Sequence, residues 1–234
     1  MSDNNITIEC PECKAKNNIL CWQNINSVTT PSAKEQLLSG ELFSVKCSNC
    51  GKTINFNYPM LYHDPIHRCI VDYTSPLGNT GDNPEDNTEN RMQQIRYLQA
   101  MSDTYKDQLD SYKIRLVSNQ NELREKAIIF ENNLDDRVIE IIKLIYLLQL
   151  SKDKPDIKIK ATYYLRGEKG NHALQFLSED GRTFSAEIDN GLYDDINNDY
   201  GSEFDGFPGN QFVIDAQWAT RFLHEQHQSD AHTN

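Results

Sequence analysis

Cys10-Pro11-Glu12-Cys13 and Cys47-Ser48-Asn49-Cys50-Gly51-Lys52 are the residues of this chain best suited to chemistry. Two cysteines separated by two residues can aim both sulfurs at one ion, and two such turns complete a tetrahedron. Zinc favours this closed all-thiolate shell in structural sites, with Zn–S distances of about 2.3 Å. The 33 residues between Cys13 and Cys47 exceed the span of a compact finger and suit a ribbon whose knuckles sit on separate hairpins. Two other readings compete. Four reduced buried thiols are one, and a redox CxxC is the other. The redox motif expects a strand-to-helix setting, whereas these motifs read as β-turns. The expectation is one structural Zn2+ held by Cys10, Cys13, Cys47 and Cys50.

Four thiolates around Zn2+ leave a net charge of −2, which backbone amides and nearby cations must stabilise. Of the six basic residues before position 75, Lys14, Lys16, Lys46 and Lys52 flank the cysteine pairs. They read as counter-charge for the site, against chance surface lysine or a small nucleic-acid patch. Gly51 can take positive φ after the second pair at no steric cost, turning amides toward sulfur. Lys14 stands in the equivalent place and would pay roughly a kcal/mol for the same conformation.

Other constellations are weaker. His63-Asp64-Pro65-Ile66-His67 with Cys69 offers N, O and S ligands for a second metal. Pro65 and the apolar run after Arg68 favour a structural turn entering a strand instead. Cys21, between Leu20 and Trp22, reads as a small buried apolar residue. Asp195 to Gly201 begins like a calcium loop, but its glycine falls one place late and Gly206 replaces the bidentate Glu. His224, His227 and His232 form a polar histidine tail. No phosphate-binding loop, dinucleotide fingerprint, HExxH or GxSxG is present.

The elements that position the cysteines read as α+β. Residues 1–74 carry strands and turns: Ile6 to Ile8, a long strand from Asn17 to Val28, and a helical turn at Glu35 to Leu38 stopped by Gly40. Glu41 to Lys46 and Thr53 to Asn57 flank the second pair, and Tyr62 to Tyr73 holds another strand. Residues 75–90, rich in Asn, Asp, Gly and Pro, read as a linker or mobile loop. Residues 91–150 form a helical region with one short strand at Tyr112 to Val117. Asn119 and Glu122 have capping-box spacing, and Asp135 with Asp136 opens a helix that reads as buried nearly all round. Residues 151–234 return to an antiparallel sheet. Ile157 to Leu165 alternates with Lys158 to Arg166 as a strand with one wet face, Asp180-Gly181 makes a tight hairpin, and Asp215 caps a closing helix.

CPEC at Cys10, the Trp22-Gln23-Asn24-Ile25-Asn26 stretch, CSNCGK at Cys47, Tyr62-His63-Asp64 and the run from Arg115 to Lys143 together resemble the CpXC-domain proteins of bacteria. The resemblance covers roughly residues 5–150. It implies a zinc-binding domain and assigns no molecular role. Two departures stand out: Ser48 where a second Pro is usual, and Lys14 where Gly is common. Both alter knuckle geometry without removing a ligand.

Composition narrows the function classes. Across 234 residues, 35 acidic side chains outnumber 23 basic ones, a net charge of −12. Such a surface repels phosphate backbones and removes the main driving force for nucleic-acid binding. The acidity grows along the chain, from −1 over residues 1–74 to −7 over residues 151–234. The start MSDNNITIEC does not read as a signal peptide, and Val138 to Leu150 is too short to span a bilayer. A cytoplasmic protein with no membrane or nucleic-acid partner is the expectation. Its leading function is a zinc-stabilised protein-interaction module in which the metal does no chemistry. The alternatives are an acidic inhibitor or immunity-type protein, or an enzyme with its site in the C-terminal half. Between Tyr193 and Asp205, five acids interleave with Tyr193, Tyr200 and Phe204, with Phe207 just beyond, in a segment that reads as a solvated loop or as a docking site for a basic protein.

Overall fold

The computed structural model describes residues 3–73, 84–167, 170–207 and 211–232, and the chain divides into two compact units, Met1–Ala127 and Ile128–Asn234. The architecture is α+β, with the cysteine cluster in the N-terminal strands and an antiparallel sheet in the C-terminal unit.

In the first unit, every second residue of β2 (Lys16–Trp22) is buried, namely Asn17, Ile19 and Cys21. It pairs antiparallel with β1 (Asp3–Glu9), so the first cysteine pair lies in their turn. The strand expected from Asn17 to Val28 breaks at Gln23. The chain then enters β3 (Asn24–Asn26), which runs parallel to β6 (Met60–Asp64) in another sheet. Ile25, 1% exposed, anchors it there. The helical turn expected at Glu35–Leu38 is a full helix, α1 (Pro31–Ser39). Pro stands at its start and Gly40, at φ 84°, ends it in the left-handed region. β4 (Ser44–Lys46) and β5 (Thr53–Asn55) form the hairpin that carries the second cysteine pair. Tyr62–Tyr73 holds two strands rather than one, because the turn at Pro65–Arg68 folds β7 (Cys69–Tyr73) back on β6. All of β7 is buried, as expected for a strand flanked on both edges, here by β6 and the parallel β8 (Lys113–Val117).

Of the stretch expected as a linker, residues 75–83 lie outside the described residues. The rest is helical, because α2 (Pro84–Thr104) opens at Pro84, whose fixed φ suits a first helical position. A short α3 (Lys106–Leu109) precedes β8. α4 (Gln120–Glu131) is capped as its sequence requires. Asn119 Oδ1 accepts from the amides of Asn121 and Glu122 at 3.0 and 2.9 Å, and Glu122 reaches back to the amide of Ser118 at 2.8 Å.

The second unit is built on α5 (Asp136–Asp153). Asp135 caps it and also forms a two-point ion pair with Arg137, whose guanidinium lies 4.9 Å over the Phe204 ring. Only its first half is buried as expected. Val138, Ile139, Ile141 and Ile142 are interior, whereas Ile145 and Leu148 are 37% and 54% exposed. Glu140 and Lys143, which interrupt the apolar run, satisfy each other at 3.0 Å. The sheet β9 (Ile159–Arg166), β10 (His172–Ser178), β11 (Thr183–Glu187) is antiparallel, with β10 central. Its buried face reverses the expectation for β9. Thr162 and Tyr164 are interior because the register sets them opposite Phe176 and Leu174, while Ile159, Ala161, Tyr163 and Leu165 are half-buried. Gly181 makes the expected Asp-Gly turn at φ 85°. α6 (Leu192–Tyr200) and α7 (Ala216–His232) follow. Asp215 Oδ1 accepts from the Trp218 amide at 2.9 Å as the cap of α7.

Candidate metal centre

Each cysteine pair folds into the same turn. The amide of Lys14 donates to the carbonyl of Cys10 at 2.9 Å, and the amide of Cys10 donates to Ala15 at 2.9 Å. In the second pair, Gly51 donates to Cys47 at 2.9 Å and Cys47 donates to Lys52 at 2.8 Å. The residue after each pair takes positive φ, 62° at Lys14 and 72° at Gly51. Glycine adopts this freely, and lysine does so at the cost anticipated from its side chain.

These turns bring the four sulfurs together. Cys10 Sγ lies 3.7 Å from Cys50 Sγ, and Cys13 Sγ lies 3.6 Å from Cys47 Sγ. All four lie within 4.8 Å of one another, a spacing that can hold a metal ion. Cys10 and Cys47 are buried with Ile54, and Ile8, Ala15 and Val45 pack against them. The amides of Cys50 and Asn49, with help from Asn17, hold the Cys47 thiol down to about 6. The Ala15 amide and the Asn49 side chain lower that of Cys13. Cys50 receives the Lys52 amide, but desolvation and crowding by Cys13, Cys47 and Cys10 outweigh it and push its thiol up to about 12. Four sulfurs this close cannot all ionise without a cation among them, and the amides aimed at sulfur are the partners such a cluster requires. The donor set therefore fits a soft tetrahedral ion.

The flanking lysines are only partly counter-charge for sulfur. Lys52 Nζ pairs with Glu12 at 2.6 Å across the two turns, and Lys14 pairs with Glu9 at 3.8 Å. Both pairs are exposed, so each contributes under about 1 kcal/mol.

Asn17 is the functional residue that sequence reasoning missed. It is buried on β2, where its Nδ2 donates to Cys47 Sγ at 3.6 Å and to the Ala15 carbonyl at 3.0 Å. Its Oδ1 accepts from the amide and hydroxyl of Ser48 at 2.9 and 3.1 Å. One side chain thus ties the first turn to the second. A proline at position 48 would have no amide to give Asn17, so the departure at Ser48 has a structural reason. The one available signal was an Asn at an inward position of an alternating strand. Outer partners of metal ligands carry 10- to 100-fold in affinity as an order of magnitude. Asn17→Ala should therefore speed chelator stripping of a loaded Co2+ about tenfold, followed by loss of its visible absorbance. Stripping at the wild-type rate would show that this contact does not hold the ion.

The remaining sequence candidates do not assemble with the four cysteines. His63 is held by Asn26 and Tyr112 at 3.3 Å each, and neither it nor Cys69 joins a metal-capable group among the described residues. His67 Nδ1 lies 2.9 Å from Asp64, whose carboxylate also accepts from the amides of Ile66 and His67. Desolvation raises Asp64, but the His67 ring and amide and Ser27 outweigh it and bring it to about 2, so it serves the turn as an anion. Cys21 is buried on β2, and burial pushes its thiol up. His224 pairs with Gln228 at 3.3 Å, and the side chain of His232 lies outside the described residues.

The acidic segment from Tyr193 to Asp205 is not a loop. It forms α6 and a following 3-10 turn, Gly201–Glu203, which removes any resemblance to a calcium loop. Its aromatics point inward. Phe204 and Phe207 are buried 5.1 and 5.2 Å from Phe222, Tyr200 meets Phe222 edge-on, and the Tyr193 hydroxyl accepts from the Asp135 amide. Asp194, Asp195, Asp199 and Glu203 stay exposed, whereas Asp205 is held by Arg137 at 2.6 Å. No helix among the described residues is long and apolar enough to cross a membrane.

A family model described as CpXC protein matches residues 8–143. No curated protein and no solved structure matches the chain.

Proposed function

The chain belongs to the CpXC protein family, and from that premise we propose that it is a zinc-stabilised protein-interaction module of the cytosol. The observation that carries this reading is the convergence of four sulfurs within 4.8 Å, each turn supplying amides toward sulfur. Cys10, Cys13, Cys47 and Cys50 would hold one Zn2+. The ion would supply fixed geometry and folding energy to strands too short to stand alone, since β4 and β5 have only three residues each. A shell closed by four thiolates has no position for substrate, so the reading assigns the metal no catalytic step. Reduced thiols suit the cytosol.

The partner in this reading is a protein with a basic surface. Residues 128–234 hold 19 acidic and 10 basic side chains, which favours such a partner and disfavours nucleic acid. Charge rather than aromatic contact would steer the encounter, so association should slow as salt rises.

The metal reading is tested by composition and by spectrum. Purified protein should carry one zinc per chain, and Co2+ exchanged into it should show a tetrahedral, four-thiolate spectrum. That spectrum should not change on adding cyanide, because no coordination position is open. Substoichiometric zinc in protein prepared without chelators, or a spectrum that responds to cyanide, would overturn the closed structural site.

A further inference from the structure

The second unit contains a cavity of about 230 Å3 that the cysteine site does not explain. Its floor is apolar, made by Ile139 and Ile142 of α5 and by Ile188 after β11, all of them buried. Its polar lining comes from His172 at the start of β10, from Asp189, and from Tyr193 and Asp194 in the first turn of α6. An apolar cavity of about 150 Å3 holds benzene. This one therefore has room for a ring-sized body and a short polar arm.

The polar groups have unused capacity. Tyr193 Oη accepts the Asp135 amide at 2.7 Å, which leaves its own hydrogen to donate. His172 Nδ1 lies 2.6 Å from the Tyr164 hydroxyl, and its Nε2 has no partner among the described residues. Burial and the Arg166 charge lower His172 below the usual imidazole range, so it adds no positive charge near neutral pH. The carboxylates of Asp189 and Asp194 make no ion pair or hydrogen bond among the described residues. No lysine or arginine lines the space. The partial positive charge at the start of α6, about half a unit, is outweighed by these two acids and Asp195.

We propose that this cavity binds a small ammonium compound whose apolar body is about the size of one aromatic ring. The body rests on the isoleucine floor. The ammonium sits at the rim between Asp189 and Asp194, and the unpaired His172 nitrogen and Tyr193 hydroxyl are left for any polar group between. A carboxylate ligand of the same shape would meet two negative charges, with no cation in the cavity lining to offset them.

The test uses full-length protein with its metal loaded, and two probes of matched shape and opposite charge, phenethylammonium and phenylacetate. Binding is followed by NMR at the Gly191 and Tyr193 amides and the His172 ring. Phenethylammonium should saturate shifts confined to these residues, and phenylacetate should bind more weakly. The exposed pair Asp189→Asn and Asp194→Asn should together weaken phenethylammonium about fivefold, as expected for two surface charges. Equal binding of the two probes, unchanged affinity in the double variant, or shifts only elsewhere would overturn the proposal. Because the cavity uses no cysteine, a failure here leaves the metal reading untouched, and a failure of the metal reading leaves this one standing.

Discussion

Cys47→Ser protein is expected to lose its zinc and to unfold the strands around the two turns. Cys47 is engaged from several sides. It is buried with Cys10 and Ile54, and it receives the Cys50 and Asn49 amides and the Asn17 side chain. Serine keeps the shape but offers a poor ligand, and three thiolates then surround an ion with an open position. For structural zinc, binding free energy is folding free energy, about 10 kcal/mol or more in finger-sized peptides. The short hairpins have little else to hold them, since the cluster contains only three buried side chains. Elemental analysis should give close to no zinc, and hydrogen exchange should show protection lost over β1, β2, β4 and β5. Cys21→Ala is the control, because that sulfur lies outside the group and its replacement should leave zinc at one per chain. Full zinc in the Cys47→Ser protein, or zinc lost from the Cys21→Ala protein, would mean the ligand set is wrong.

Trp218→Ala is expected to destabilise the second unit by about 3–5 kcal/mol, the usual cost of truncating a buried aromatic. Trp218 is 1% exposed and stacks on Phe222 at 5.3 Å, with Phe204 and Phe207 at 5.8 and 5.9 Å. Alanine would leave a void between three rings, Phe222 on α7 and Phe204 and Phe207 in the segment after α6. Leu148→Ala, on the exposed half of α5, should change stability by no more than about 0.5 kcal/mol. Denaturant unfolding followed by far-UV circular dichroism measures both. A Trp218→Ala protein as stable as its parent would show that these rings do not form the core of the unit.

Local signals were legible in the residues themselves. The two CxxC pairs, the positive-φ positions after them, the caps at Asn119, Asp135 and Asp215, and the Asp180-Gly181 turn each involve side chains acting on backbone a few residues away. Such interactions are closed within one turn of chain, so type and spacing determine them. The convergence of the cysteine pairs was also readable, because two CxxC turns that share one tetrahedral site must meet, whatever the length of the 33 intervening residues.

What the tertiary structure decided depended on partners far along the chain. Asn17 became an outer partner of sulfur only because the second turn placed Cys47 and Ser48 against it, 30 residues away. The strand from Asn17 ended at Trp22 because β1 claims one half and β6 the other. β9 buried Thr162 and Tyr164 because β10 set Phe176 and Leu174 opposite them, and alternation alone does not say which face meets the core. Phe204, among the acids that follow α6, turned inward because Trp218 and Phe222 offered it a core. Each of these outcomes is a choice between two locally equivalent arrangements, and only the area buried against a distant element separates their free energies.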